Sequence, residues 1–239
     1  MKDKLAILLC SGGLDSVTTA FYAKKILKYN KIFILFFNYG QQQIIAERKA
    51  SKICAKRLKA DFLEFNLKIL KNIPMNLDKK NKDLKVTLDD LRNTKKQSKA
   101  WYFPCRNIIF LTYAMTLAES ILLKDNRKSN IFVGFKCEGK DPYPDTTINF
   151  MKQINKLSKI ATEGKFKIFA PLINKDKEEI IRLGKKLDVD FKKTFSCYTG
   201  RKVHCGHCLA CRLRQEGFYW ANIRDPTKYQ KRMPDSRIA

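Results

Sequence analysis

The apolar run Leu5-Ala6-Ile7-Leu8-Leu9-Cys10 leads without a spacer into Ser11-Gly12-Gly13-Leu14-Asp15-Ser16, and a segment with helical periodicity follows. A run that is apolar on both faces reads as a buried strand, and such strands belong to sheets covered on both sides by helices. The turn between strand and helix carries a second constraint. Two adjacent glycines let an anion approach the backbone, and a helix N-terminus offers unpaired N–H groups and a positive dipole end. Ser11 and Ser16 add hydroxyls, and Asp15 adds an acid. The plainer alternative is a serine-capped helix after a tight turn.

Strand and helix patterns then alternate along the chain. Helical spacing runs from Leu14 to Tyr29, from Gln43 to Leu58, from Asn107 to Leu123, from about Thr147 to Ile160, from Asn174 to Leu187 and from Leu209 to Ala221. Strands are expected at Ile32 to Phe37, Phe62 to Phe65, Ile131 to Phe135 and Phe166 to Ala170. This alternation predicts an α/β fold with parallel strands and right-handed crossovers. Residues 68–99, rich in Lys, Asn and Asp, read as a surface excursion. The expected division is a nucleotide-binding α/β domain over 1–190 and a small cysteine-rich segment with a terminal helix over 191–239. The polar tail after Asp225 is expected on the surface or across a partner subunit.

The formal net charge of +26 comes mostly from dispersed lysine. A nucleic-acid face more often clusters its charge and includes arginine forks, so no stable nucleic-acid partner is expected. No apolar stretch is expected to reach the ~20 residues of a membrane span, and no secretory apolar segment opens the chain. A soluble, cytoplasmic protein is the expectation, and its eight cysteines then read as thiols or metal ligands.

Four cysteines follow the spacing Cys197-x7-Cys205-x2-Cys208-x2-Cys211. Four thiolates satisfy tetrahedral zinc, and the two-residue spacings let tight turns present successive sulfurs inward, eased by Gly206. His204 and His207 are alternative ligands, and an iron–sulfur cluster would also accept four cysteines. Structural zinc is the preferred reading.

Three further stretches lie at expected strand ends or helix starts, where α/β sheets place ligands. Asn38-Tyr39-Gly40-Gln41 offers amides and a phenol after the second strand. Arg106 and Asn107 open the long helix, where a guanidinium fork reaches a phosphate or carboxylate. Glu138 and the Tyr143-Pro144-Asp145 trio supply acids suited to magnesium, to taking a proton from an amine, or merely to capping.

Ser11-Gly12-Gly13-Leu14-Asp15-Ser16 lacks the Gly-Lys-Ser/Thr ending of a Walker loop. It resembles the pyrophosphate-loop signature of enzymes that split ATP between its α and β phosphates. Together with Tyr39-Gly40-Gln41, Phe103-Pro104-Cys105-Arg106-Asn107 and Cys205-Gly206-His207-Cys208-Leu209-Ala210-Cys211, the chain resembles the 7-cyano-7-deazaguanine synthase family from Leu5 to about Phe218. The resemblance implies a Rossmann-like, adenine-nucleotide α-hydrolase-like sheet with a small C-terminal zinc segment. It implies ATP-dependent conversion of 7-carboxy-7-deazaguanine and ammonia to the nitrile through adenylylated intermediates, with Mg2+, one structural Zn2+ and a homodimer. Cys10, Ser11, Gly12, Gly13, Leu14, Asp15, Ser16, Val17 and Thr18 would hold ATP. Ser11, Asp15, Ser16 and Arg106 would act in catalysis. Tyr39, Gln41, Arg106, Asn107, Glu138, Tyr143 and Asp145 would contact the acid, and Cys197, Cys205, Cys208 and Cys211 would bind zinc.

The chain departs from the family pattern at Asn38, usually Asp, at Cys105, usually a small residue, and around residues 136–140. Three other readings stand beside this one. They are a tRNA-thiolating enzyme of the same superfamily using Cys105 or Cys137, a zinc-bearing nucleic-acid binder, and a diverged relative that adenylylates another carboxylate.

Overall fold

The structure is a computed structural model that describes residues 4–68, 70, 102–136, 143–199 and 202–231. Glu138, Cys137 and nearly all of the 68–99 excursion lie outside the described residues. Within them, β1 (Leu5–Leu9), β2 (Lys31–Asn38), β3 (Asp61–Asn66), β4 (Ser129–Val133) and β5 (Ile168–Phe169) form one sheet in the order β3-β2-β1-β4-β5. Every pairing is parallel. The helices are α1 (Leu14–Lys25), α2 (Ile44–Leu58), α3 (Arg106–Asp125), α4 (Ile148–Ala161), α5 (Lys177–Lys186) and α6 (Leu209–Trp220).

The unbroken apolar run of β1 is explained by two cores. Ala6 and Leu8 pack with Val17, Phe21, Cys54, Ile180 and Phe218, from α1, α2, α5 and α6. Leu5 and Ile7 pack on the opposite face with Leu111, Met115, Met151 and Ile154, from α3 and α4. Alternate side chains of one strand thus enter different layers, and both sets must be apolar.

Connections run outward from β1 to β2 to β3, then return to set β4 against the other side of β1. The strand order therefore reverses between β1 and β4. In open α/β sheets a crevice forms at the carboxyl ends beside such a reversal, and the Ser11–Ser16 loop leaves β1 there.

Each expected element is present, with adjusted ends. Helix α1 stops at Lys25 because the chain turns through Lys28 at φ 60°. Strand β5 keeps only two residues. The expectation that no segment reaches span length needs correction. Helix α3 has 20 residues, and its most apolar window has a mean hydropathy of 1.3. Its Leu111, Ala114, Met115, Ala118 and Ile121 recur at three- and four-residue intervals and are buried. From the same helix the Glu119 carboxylate accepts the N–H groups of Glu163 and Gly164, at 2.9 and 3.4 Å. Sheet packing accounts for its apolar stripe.

The described tail lies on the surface, with Pro226, Lys228, Gln230 and Lys231 exposed, and it is tied down there. Gln230 N donates to His204 O at 2.8 Å and Lys231 N to Cys205 O at 3.3 Å, so the chain through Lys231 lies on its own cysteine segment. A buried polar anchor holds it there. Arg214, 1% exposed, donates to Thr227 Oγ1, Thr194 Oγ1, Ser196 Oγ and Phe191 O, and lies 3.9 Å from Asp225. Tyr229 OH donates to the Asp225 carboxylate. Gly206 takes φ +83°, and a Cβ there would collide with Lys231 O.

Candidate functional site

The Ser11–Ser16 loop is held from three sides. Cys10 N donates to Leu35 O, Ser51 Oγ from α2 donates to Cys10 O, and Phe195 N donates to Gly12 O, each at 2.9 Å. Gly12 sits at φ +82°, and a Cβ there would lie 2.7 Å from Ala50 Cβ and from Glu47 O. Only glycine fits that crossing.

Gly13 caps α1 and contributes no side-chain hydrogen bond, so the first-turn N–H groups are left for another acceptor. Its N–H points toward Ser11 Oγ at 3.4 Å, Ser16 Oγ donates to Gly13 O at 3.1 Å, and the two hydroxyls lie 3.4 Å apart. A Cβ on Gly13 would lie 3.3 Å from Ser11 Oγ and 4.0 Å from Ser16 Oγ. The missing side chain thus leaves a space lined by the two hydroxyls, with Phe195 O 3.7 Å from the same point, beside the helix N-terminus whose first-turn N–H groups suit a phosphate. Leu14, Val17 and Thr18 turn their side chains into the core, with Thr18 Oγ1 on Leu14 O. Cys10 Sγ lies 3.7 Å from Ser16 Oγ. Hydrogen bonding with Cys54 draws the Cys10 thiol down to about 7, against the upward push of burial.

Asp15 does not stand alone at the helix start. Lys177, the first residue of α5, places Nζ 2.8 and 3.1 Å from its two carboxylate oxygens. Sequence reasoning missed Lys177. Its signal was position: it follows the capping residue Asp176, whose N–H donates to Glu179 Oε2 at 2.7 Å, at the start of a helix that borders the crevice.

A second cluster lies at the end of β2. Asn38, expected as Asp in the family pattern, gives its Nδ2 to Asn66 Oδ1 at 2.7 Å while its own Oδ1 accepts Gly40 N. A carboxylate could not make the first of these bonds. Gln41 folds back, with Oε1 accepting Tyr39 N and Nε2 donating to Phe37 O and to Glu47 Oε2 at 3.1 Å. It shapes the loop and orients Glu47, a second residue missed from sequence. Arg106 Nη1 donates to Tyr39 OH at 3.2 Å, and its guanidinium lies 5.6 Å from the Tyr39 ring centre. Arg106 Nε is buried without a partner among the described residues. Burial raises the Tyr39 hydroxyl, against Arg106, and burial likewise raises the Glu47 carboxyl, against Gln41 and Arg106.

Asn107 is 6% exposed, its N–H donating to Asp145 Oδ2 and its Nδ2 to Asp145 O. Asp145 is thereby tied to the start of α3, and its sequence neighbour Tyr143 stacks with Tyr102, ring centres 5.7 Å apart. Cys105 precedes α3 at φ 57°, ψ 9°. In this left-handed conformation an L side chain is strained and glycine is not.

The four sulfurs of Cys197, Cys205, Cys208 and Cys211 lie within 4.8 Å of one another and are buried. Cys205 and Cys211 are 3.9 Å apart, against roughly 3.8 Å for sulfurs at tetrahedral Zn–S bonds. N–H groups of Cys205, His207 and Cys208 point at Cys197 Sγ or Cys205 Sγ at 3.3–3.4 Å, as thiolates require. Hydrogen bonding from Cys197, then Cys208 and Cys211, pulls the Cys205 thiol far down, while Cys197 and Cys205 push Cys211 far up. Four thiolates this close need a cation to ionise together. His204 is not among the gathered ligand atoms, which are the four sulfurs, and its Nε2 accepts Ser196 N at 3.1 Å. Phe195, Ala50 and the cysteines share one apolar cluster, so the thiol site abuts the phosphate loop.

A family model described as queuosine biosynthesis protein QueC matches residues 5–222. That span includes the loop, both strand-end motifs and all four cysteines. The chain belongs to the QueC family. Its curated relatives include the 7-cyano-7-deazaguanine synthase of Methanosphaera stadtmanae, 34% identical over 236 residues, with 97% of this chain and 100% of the relative covered. Proteins of the same name from Methanococcus vannielii and Rickettsia akari are 34% and 36% identical, covering 94% and 95% of this chain and 98% and 99% of theirs. QueC membership thus rests on the full span of the fold rather than on the loop signature alone.

Proposed function

We propose that this chain is an ATP-dependent nitrile synthase that converts 7-carboxy-7-deazaguanine and ammonia to 7-cyano-7-deazaguanine. The observation that carries the reading is the hydroxyl-lined space at Gly13, with the Nε of Arg106, buried and without a partner among the described residues, presented by the neighbouring helix start. The first suits the phosphates of ATP, the second a carboxylate.

In this reading Ser11, Gly12, Gly13, Ser16 and the backbone through Leu14 hold the departing pyrophosphate, while Asp15 keeps Lys177 at the rim. Arg106 aligns the acid so that its oxygen attacks the α-phosphorus, with Tyr39, Tyr143 and the Asn107–Asp145 tie shaping its pocket. Ammonia displaces AMP to give the amide, and a second adenylylation dehydrates the amide to the nitrile. Mg2+ bound with the nucleotide would supply neutralisation of phosphate charge. Cys197, Cys205, Cys208 and Cys211 would hold one zinc, a structural role that would close the segment bracing Gly12. We place the enzyme in the cytoplasm as a homodimer, with the division at residues 190/191 marking ATP-binding and zinc-binding parts.

The test is incubation with 7-carboxy-7-deazaguanine, ATP, Mg2+ and ammonium, with mass detection of product. Formation of the nitrile with two AMP per turnover is expected. ATP binding without any product from this acid would overturn the substrate assignment.

A further inference from the structure

The reaction proposed above takes every proton off the ammonia nitrogen, so a proton acceptor must stand beside the reacting carbon. Resting on that reading, we propose that Glu47 is the general base that receives them. Glu47 lies in the first turn of α2, and its carbonyl oxygen packs 2.7 Å from where a Gly12 Cβ would be. Its position therefore borders the phosphate loop on one side. On the other, Gln41 Nε2 donates to its carboxylate at 3.1 Å, and Gln41 in turn packs into the loop that carries Tyr39. The charged and titratable groups that act on it are the Arg106 guanidinium and the Tyr39 phenol, with Gln43 a further hydrogen-bonding amide.

The other described carboxylates near the crevice are committed. Asp15 is paired with Lys177, Asp145 Oδ2 accepts Asn107 N, and Glu64 is gripped by Arg48 through Nε and Nη2. Glu47 makes no salt bridge within 4 Å among the described residues; Gln41 Nε2 holds Oε2 at 3.1 Å. Gln41 is itself locked to Phe37 O and Tyr39 N, so the orientation of the carboxylate is fixed by the backbone of the loop. Burial keeps the carboxyl above its ordinary range, which suits a group that must both take a proton and release it near neutral pH.

Two steps use it. Ammonia attacks the acyl adenylate, its nitrogen gives a proton to Glu47, and the carbon–oxygen bond breaks so that AMP leaves with the electron pair. After the amide oxygen has displaced pyrophosphate from a second ATP, the nitrogen sheds its remaining two protons in turn to Glu47. The carbon–oxygen bond to AMP then breaks to leave the triple bond. Between transfers the carboxyl returns its proton to solvent.

The experiment compares Glu47→Gln and Glu47→Asp with the parent enzyme in two assays. One is acid-dependent ATP–pyrophosphate exchange, which needs no ammonia; the other is amide and nitrile formation across pH. Glu47→Gln should keep exchange within about threefold and form hydroxamate when hydroxylamine replaces ammonia. Its amide formation should fall by about 10²–10⁴, with loss of the rising pH limb. Glu47→Asp should recover part of the rate and of the pH dependence. Amide formation at the parental rate and pH profile would overturn the assignment. So would loss of exchange in proportion to loss of amide, which would make Glu47 a support for the loop. Absence of exchange in the parent itself would overturn the reading of the overall reaction, and this assignment with it.

Discussion

Replacing Gly12 by alanine adds a Cβ at φ +82°, 2.7 Å from Ala50 Cβ and Glu47 O and 2.8 Å from Ser51 N. The left-handed backbone costs an L-residue about 1–2 kcal/mol. Forcing the packed α2 backbone aside costs about 1–3 kcal/mol more. The sum, about 2–5 kcal/mol, is a large share of the 5–15 kcal/mol typical of a folded domain. At roughly 2–4 °C per kcal/mol for a domain of this size, the melting temperature should fall by about 5–20 °C. Gly13→Ala should behave differently. Its φ of −71° and ψ of 163° are open to alanine. The gain from a stiffer unfolded chain and the loss of a favoured N-cap glycine offset each other within about 1 kcal/mol. Its Cβ would instead occupy the hydroxyl-lined space, so ATP affinity should drop at least about tenfold, or 1.4 kcal/mol. Thermal unfolding and calorimetric titration with ATP on both variants distinguish the outcomes. Parental ATP affinity in Gly13→Ala, or an unchanged melting temperature in Gly12→Ala, would refute the reasoning.

Cys105→Gly should relieve the left-handed strain and raise stability by about 0.5–1 kcal/mol, read by denaturant unfolding, while Cys105→Ala leaves nitrile formation within about twofold. Cys208→Ser should reduce bound metal from about one equivalent toward none, open residues 197–231 to protease and weaken ATP binding through the lost Phe195 brace. Arg214→Ala should cost about 3–5 kcal/mol, because it strands buried Asp225 without its cation. Glu47→Gln should carry a pH signature. A carboxyl raised on folding stabilises the protein below its unfolded pKa and loses that contribution as pH rises through the folded value. The variant should therefore melt near the parent at low pH and progressively above it toward pH 8; a pH-independent difference would contradict the burial of that carboxyl.

The sheet was legible because β1 and β2 must be apolar on both faces, and the phosphate loop because Gly12 and Gly13 follow a strand without a spacer. The thiol cluster was legible because four cysteines at knuckle spacing have few other uses. What sequence hid was partnership across distance. Nothing near Asp15 announces Lys177, and nothing near Gln41 tells that its amide is spent on Phe37 O and Glu47. Helix α3 is expected from its periodicity, but its full length is not, because Arg106 at its start and Lys124 and Asp125 at its end are polar and lie outside the apolar stripe. The surface course of the tail after Asp225 was legible from its polar composition; its attachment was not, because it depends on Arg214, a buried guanidinium with no sequence mark of burial.

The hydrogen bond from Phe195 to Gly12 spans most of the chain. During synthesis β1 and its loop emerge before the other described strands, yet the partner of the Gly12 carbonyl is made only after all of these strands. An N-terminal fragment that ends before Phe195 contains the whole loop signature with one side of its support missing. Contacts this remote in sequence close late and slowly. The ATP site should therefore mature as one of the last events of folding, and nucleotide binding should report that the carboxyl-terminal segment has docked.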